Sequence, residues 1–524
     1  MKKVISCILS LVLAAAILNG CGKKKTENSP YNPDVPVGDT GGLEMPITLN
    51  GEELTWSVNA TNHTDETLNN CFVVNRLREI TGVNVKIMAL PLAAANDKIK
   101  VLAAAKKLPD IVGQGIDEKV KNDLCVQGAF AAVEDYLDVL PNFRKIFYES
   151  EDASWVPKSY PMSDGKVYSF FGWDWARDIN TGATLYRKDI FDKHGLKMWN
   201  SPEEFYQTLK KLKELYPEST PYAVKTTEET FKNWSYSWGM VAQNPYYDEE
   251  EKIWKYTDTD PKYREMLDFM KKCYDEGLID PEFLTTNEVN WTHLMTQADK
   301  AFVTTDWIGR IRLFKNQTLE TVPDYDLRFG NPIGPRQTML ETSQLCTPKH
   351  VSNNKNAEIG FKLLDFVISP AGAELITMGA EGETYVLDEN GMAKYIGFES
   401  DPSTTELNAK YGMFQEGMYL RYDRRCTYFK FTPAEQEAQD FAKDKSHLEK
   451  RDPVLPFNND LKTKTADYLA ALNKAGKEFA TKYVLGSETG DAAWEKWQQE
   501  AKRLGSEELV KIYNEEQKKY DAQK

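Results

Sequence analysis

Two short stretches of this 524-residue chain set flat aromatic rings beside carboxylates and a guanidinium. The first, Phe170-Phe-Gly-Trp-Asp-Trp-Ala-Arg177, brings Trp173, Asp174 and Trp175 into one run; the second is the pair Asp306-Trp307. A sugar presents an apolar ring face and a belt of hydroxyls, so a site for one needs rings to stack on and planar polar groups to hydrogen-bond. The chain carries 12 Trp, 26 Tyr and 23 Phe, which supplies such a site many times over. Most aromatic rings serve cores instead, so Trp238, in Trp234-Ser-Tyr-Ser-Trp-Gly239, has both readings open, a ligand platform and a packed helix face. Asn62, Asp65 and Gln114 add amide and carboxylate capacity from expected loops, against ordinary capping or solvation. Arg421 and Arg424 flank a Tyr-rich stretch and suit either an acidic sugar or surface charge pairing.

The same residue types would also serve hydrolysis, which needs two carboxylates facing each other across a sugar. Asp174, Asp178, Glu381 and Glu383 are the acids near the aromatic runs, but nothing sets those four apart among 80 acids. No G-x-S-x-G elbow and no P-loop is present. A surface glycoside hydrolase is therefore the less favoured reading, and the chain is expected not to be an enzyme. Metal chemistry has little support: the five His are widely separated, and no two Cys stand at C-x-x-C spacing. We expect neither metal nor cofactor.

The elements that must position these side chains start near residue 54. Leu54-Thr-Trp-Ser-Val58 predicts a strand, and Phe72, Val73, Leu77 and Ile80 predict a helix stopped by Gly82. Val83, Val85 and Ile87 alternate with polar residues as in a second strand. A helix over 97–106 and a strand opening at Pro109-Asp-Ile-Val112 continue the pattern of a parallel α/β sheet. In such sheets ligands lie at the carboxyl ends of strands, which picks out the loop 59–65, Gly113-Gln114, and Asp306-Trp307 after the run 300–305. In Ser201-Pro-Glu-Glu204 the Ser caps, the Pro takes the first helical position and the Glu completes a capping box. A helix is expected over 262–274, ending near Gly277, and the chain beyond 440 reads as helix-rich.

At the other end, Lys2 and Lys3 precede an apolar run from Val4 to Leu18, too short to span a bilayer comfortably. Cys21 follows it directly. This layout resembles the lipobox of bacterial lipoproteins, which implies cleavage after residue 20, acylation of Cys21 and a place on the extracytoplasmic face of the cell membrane. Residues 22–50, rich in Lys, Asn, Pro and Gly, read as a flexible spacer. No other apolar stretch reaches spanning length, so lipid is the one expected membrane contact. The net charge of −15 argues against nucleic acid. Of the remaining cysteines, Cys71, Cys125, Cys273, Cys346 and Cys426 are read as mostly buried apolar residues, with a disulfide open but not assignable.

The order of several motifs resembles the extracellular solute-binding proteins (family 1) of bacterial ABC importers. They are the segment 80–87, Leu-Pro-Asp-Ile-Val at 108–112, Asp164-Gly-Lys-Val-Tyr168, the segments 185–196 and 201–205, and 361–370. Residues 382–391 look like the large carbohydrate-importer lipoproteins of that group, which makes Glu383 and Tyr385 either ligand or hinge residues. The resemblance implies a two-lobed, type II α/β binding-protein fold with discontinuous lobes joined by a multi-strand hinge, and a helix-rich C-terminus. It divides the chain into a signal peptide (1–20), lipidated Cys and flexible linker (21–51), a first lobe (52–180 plus 328–385) and a second (181–327 plus 386–524). It places a stacking aromatic where Trp307 stands. A calcium loop that some relatives carry is missing from residues 215–222 here, and 388–391 is too short a match. The implied function is capture of a carbohydrate, an oligosaccharide, in an interlobe cleft by a monomeric receptor that delivers it to the permease subunits of an ABC transporter. A receptor for peptides or another polar solute is the alternative.

Overall fold

The computed structural model describes residues 26–60, 63–174, 183–336, 339–340, 344–443, 448–449 and 451–522. The expected leader with Cys21, and Asn62, Trp175, Arg177 and Asp178, lie outside those residues. The chain divides into two compact units: one spans 1–157, 164–175 and 345–429, the other 158–163, 176–344 and 430–524.

The first unit is built on a five-stranded sheet. Its order is Asn84–Leu90, Glu53–Asn59, Ile111–Val112, Leu345–Val351, Phe170–Trp173. The first three run parallel and Leu345–Val351 runs against both its neighbours. The Glu53–Asn59 strand is covered on both faces toward its end: Leu54, Trp56 and Val58 are buried, and so are Ser57 and Asn59 on the other face. That is the pattern of a central parallel strand rather than a half-exposed one. Val85 and Ile87 point inward while Lys86 reaches Glu53 at the surface, as the alternation predicts. The helix Phe72–Thr81 ends at Gly82 with φ +74°, where a side chain would collide with the Thr48 carbonyl.

Three assignments change. Residues 158–163 and 328–336, expected in the first lobe, belong to the second unit. Residues 26–50 are not a free spacer but a strap laid along this unit. Thr26 N donates to Leu49 O, Asn32 N to Glu79 O and Thr48 N to Thr81 O, while Asp39 O accepts from Ala371 N. Pro, Gly and Asn disfavour helix and strand, but their backbone groups still find partners one at a time on an existing surface. Residues 386–429, expected in the second lobe, fold with the first unit: Trp56 Nε1 donates to Gly417 O at 3.1 Å. Gly113 permits that approach, since any Cβ there would crowd Gly417 O and Ser57 O. A buried carboxylate ties the strap in. Asp365, within the helix Ala357–Ile368, accepts from Asn142 N (3.2 Å), Asn142 Nδ2 (2.9 Å) and Phe143 N (2.8 Å) at the start of the helix Pro141–Phe147. Asn142 Nδ2 also donates to Thr40 O in the strap, at 2.8 Å.

The second unit centres on three antiparallel strands, in the order Val303–Asp306, Ala183–Arg187, Leu327–Phe329. Ser201 accepts from Glu204 N, but the Glu204 carboxylate reaches Asn200 N, one residue earlier than a reciprocal box requires. The helix Pro261–Asp275 packs against Asn459–Val484, and Gly490–Arg503 and Ser506–Ala522 complete the helix-rich end. None of the five cysteines at 71, 125, 273, 346 and 426 is in a disulfide, and all but Cys71 are buried. Among the described residues no helix is long and apolar enough to cross a membrane.

Asp258 is fully buried at the seam where these helices dock. Its Oδ1 accepts from Gln243 N at 2.7 Å, its carbonyl accepts from Trp497 Nε1, and Oδ2 faces Gly476 in the long helix. Burial pushes its carboxyl up to about 7. The folded protein therefore holds a proton that the unfolded chain, near its ordinary value of about 4, has released. The stability this proton confers is full below about pH 4 and lost as pH rises to 7, at about 1.4 kcal/mol per unit of pKa shift. Calorimetry should show a fall in melting temperature across that window that Asp258→Asn, which keeps the Gln243 bond and cannot ionise, flattens.

Candidate functional site

In the second unit Trp307 follows the Val303–Asp306 strand with 47% of its surface exposed, one of few large rings so placed. Its six-membered ring lies over Gly309, where no Cβ would fit, so the backbone itself supports an open ring face. Asp306 beside it is already engaged. It is buried and accepts from Arg310 Nε at 2.6 Å and Lys225 Nζ at 3.2 Å, and Arg310 Nη2 pairs with Glu288 at 2.8 Å. Both cations lie over the Trp291 ring, 4.9 Å and 5.6 Å from its centroid. Asp306 is thus a counter-ion that fixes the loop under Trp307, not a free acceptor. Trp238 is core: 3% exposed, stacked on Trp234 with rings 5° apart in plane, and packed on Phe269. It lies in the turn just past the helix Thr227–Tyr236, so it packs as a core ring but not on a helical face.

In the first unit Trp173 is buried at the end of its strand, edge-on to Phe147 at 6.2 Å, and its Nε1 has no partner among the described residues. Asp65 spends Oδ1 on Ala89 N (2.6 Å), holding the end of the Asn84–Leu90 strand. Glu383 is exposed and paired with Arg76 at 2.6 Å. Tyr385 is fully buried and its hydroxyl donates to Glu374 at 2.6 Å, so it anchors its loop rather than meeting a ligand. Arg421 is half-buried, and desolvation holds its guanidinium below its ordinary value. Gln114 is half-buried beside Gly113 at the carboxyl end of Ile111–Val112.

Around that same edge lies a polar pocket of about 220 Å³, lined among others by Asn59, His63, Asn408, Phe414, Gln415 and Glu416. Asn59 N donates to Glu416 O at 3.2 Å and Gln415 Nε2 donates to Asn59 O, so the 413–417 turn is clamped to the end of the central strand. His63 Nε2 and Asn408 Oδ1 are 2.8 Å apart, and Asn408 Nδ2 donates to Met413 O at 2.9 Å. Phe414 adopts φ +54°, costly for a bulky residue and a mark of a position over-determined by its surroundings. From Phe414 the rings continue through Tyr422 (5.9 Å) to Tyr428, stacked on Tyr422 at 4.9 Å and 41% exposed. The strand-end rule reaches Asn59, and the run of Tyr is visible in the sequence. Nothing local says that residues 408–416, some 350 positions later, complete the pocket.

Among the described residues no group of three or more His, Cys, Asp or Glu is placed to hold a metal. Truncating Asp306 to Ala leaves Lys225 and Arg310 without their shared carboxylate, and chemical denaturation should register a loss of about 3 kcal/mol.

The bacterial extracellular solute-binding protein family matches residues 73–382. Lipoprotein LipO of Bacillus subtilis (strain 168) is 23% identical over 97% of each chain. The polygalacturonan/rhamnogalacturonan-binding protein YtcQ of the same organism is 22% identical over 46% of this chain and 47% of its own. Among solved structures, an HMO-binding ABC-transporter-associated solute-binding protein from Bifidobacterium longum infantis covers 90% of this chain and 99% of its own, at 16% identity and TM-score 0.71. The alginate-binding protein AlgQ2 has the same coverage at 20% identity and TM-score 0.65. At such identities the likeness to solved structures is one of fold, that of the two-lobed binding proteins.

Proposed function

The chain belongs to the bacterial extracellular solute-binding proteins, and from that premise we propose that it captures an oligosaccharide and delivers it to the permease of an ABC transporter. The observation that carries the ligand class is Trp307. An exposed indole held open by Gly309 and braced by a buried ion pair is a stacking platform for a sugar face, which an ordinary surface residue would not need. The Tyr422–Tyr428 pair in the first unit offers a second exposed ring of the same kind. Relatives named for polygalacturonan, alginate and HMO binding support the same class. In this reading Cys21 carries lipid, which the lipoprotein designation of LipO supports, and the receptor stays on the outer face of the membrane. The family is one of binding proteins, and of the acids near the aromatic runs that are described, Asp174 is buried while Glu381 and Glu383 are exposed, the latter tied to Arg76.

Binding that selects the native state raises its melting temperature by mass action. A fluorimetric screen of neutral and acidic oligosaccharides beside di- to pentapeptides should give shifts with sugars alone; shifts confined to peptides would overturn the carbohydrate assignment. Trp307→Ala should weaken the best sugar at least tenfold by calorimetric titration and leave the ligand-free melting temperature within about 1 °C, since an exposed ring contributes little to stability.

A further inference from the structure

The five-stranded sheet of the first unit ends on Asn84–Leu90, which among the described residues has a strand on one side only. This edge strand is seven residues long, reads Asn84-Val-Lys-Ile-Met-Ala-Leu90, and keeps an unbroken register against Glu53–Asn59. It has no proline and no bulge, and its one charge, Lys86, is paired with Glu53. A long apolar edge of this kind recruits a further strand unless something covers it.

Side chains cover it. Asn84 N donates to Glu52 O and Leu90 O accepts from Ala60 N, which turns the even-numbered residues toward the neighbouring strand and the odd-numbered ones outward. Of the outward groups, Val85 N donates to Val83 O and Val85 O accepts from Arg78 Nε at 2.9 Å. Ile87 N donates to Asn69 Oδ1 at 2.9 Å, Ile87 O accepts from Asn69 Nδ2 at 2.8 Å, and Ala89 N donates to Asp65 Oδ1 at 2.6 Å. The Asn69 amide thus gives Ile87 the donor and acceptor that a residue of an added antiparallel strand would give. Asp65 and Asn69 stand in the helix Asp65–Asn69, and Arg78 fixes its end, with Nη1 on Asn69 O (2.7 Å) and Nη2 on Asn69 Oδ1 (2.9 Å). Five residues are too few for a helix to stand alone, so these bonds hold it on the edge.

We propose that this helix and Arg78 form a plug that keeps a second copy of the chain from adding its own Asn84–Leu90 strand to the sheet. A second copy is the occupant such an edge fits: two identical edges meeting about a twofold axis pair antiparallel, each offering the other the same run of outward N–H and C=O groups. The second unit carries the same device independently. Asn514, in the helix Ser506–Ala522, accepts from Trp254 N at 2.9 Å and donates to Trp254 O at 3.0 Å, on the outer edge of the hairpin strand Ile253–Tyr256. In both units one Asn answers both backbone groups of one edge residue. The proposal is independent of which ligand the protein captures.

The test follows the full chain, wild type and Asn69→Ala, from micromolar to millimolar concentration. Light scattering reads its mass, and amide hydrogen exchange by mass spectrometry reads residues 84–90. Wild type stays monomeric, with slow exchange over 84–90 throughout. Asn69→Ala releases Ile87 N–H, so exchange there rises about tenfold or more in dilute solution. As concentration increases the variant dimerises and the protection returns. A variant that remains monomeric at the highest concentration overturns the plug, as does one whose exchange over 84–90 is unchanged. Association that leaves 84–90 unprotected runs through another surface and overturns it too, and so does a wild type that pairs through 84–90 with the plug in place. Should Asn69→Ala fold poorly, Asp65→Ala, at an exposed position, frees Ala89 N–H alone and decides on the same outcomes.

Discussion

One buried carboxylate gathers segments that lie far apart in the chain. Asp365 answers the unpaired N–H groups at the start of the helix Pro141–Phe147, and through Asn142 it holds Thr40 of the strap. Three stretches separated by more than a hundred residues each thus converge on one side chain in the first unit. A helix start buried without an acceptor is costly, and a carboxylate buried without donors is costlier still; each cancels the other's penalty. The residual cost shows in the acid itself, whose carboxyl burial pushes up to about 6 despite three donors. Contacts of this kind let segments distant in sequence share one unit.

The carboxyl ends of the parallel strands depend on a similar arrangement. Glycines at 113 and 417 let two backbones touch, Trp56 donates across the gap, and the 413–417 turn then lies against Asn59. Side chains that could serve a ligand are there because the backbone beneath them is closed by close approach and not by bulky packing. In the second unit the device differs. Trp307 rests on Gly309 above an ion-pair cluster over Trp291, so charge works there beside glycine.

Elements with a strict period were legible. Val83, Val85 and Ile87, the helix to Gly82, and the Ser201 cap follow from side-chain spacing and capping chemistry, which act within a few residues. Trp307 follows a strand, as read, but that strand stands in an antiparallel sheet, which the strand-end rule for parallel sheets does not cover. Trp238 and Tyr385 could not be placed: a ring looks the same in sequence whether it packs on Trp234 or faces solvent, and only the fold supplies Glu374 as the hydroxyl's partner. Asp306 is the subtler case, since its position at a strand end was read and its engagement by Lys225, from eighty residues earlier, was not. The strap was missed for the converse reason. Its composition says which regular structure it avoids and nothing about the surface it finds.

That strap sets a length. Five positions separate Cys21 from Thr26, whose backbone is already bonded to Leu49. At roughly 3.6 Å per residue, no path between them exceeds about 18 Å. An acyl group on Cys21 would then act as a short leash and not a long one. It would hold Thr26, at the base of a body whose net charge is −17 once Lys2 and Lys3 leave with the leader, within about two Debye lengths of the bilayer surface, where anionic headgroups press outward against it. The receptor's search for its transporter would be a two-dimensional one, run within a limit that the strap sets by holding Thr26 to the folded body.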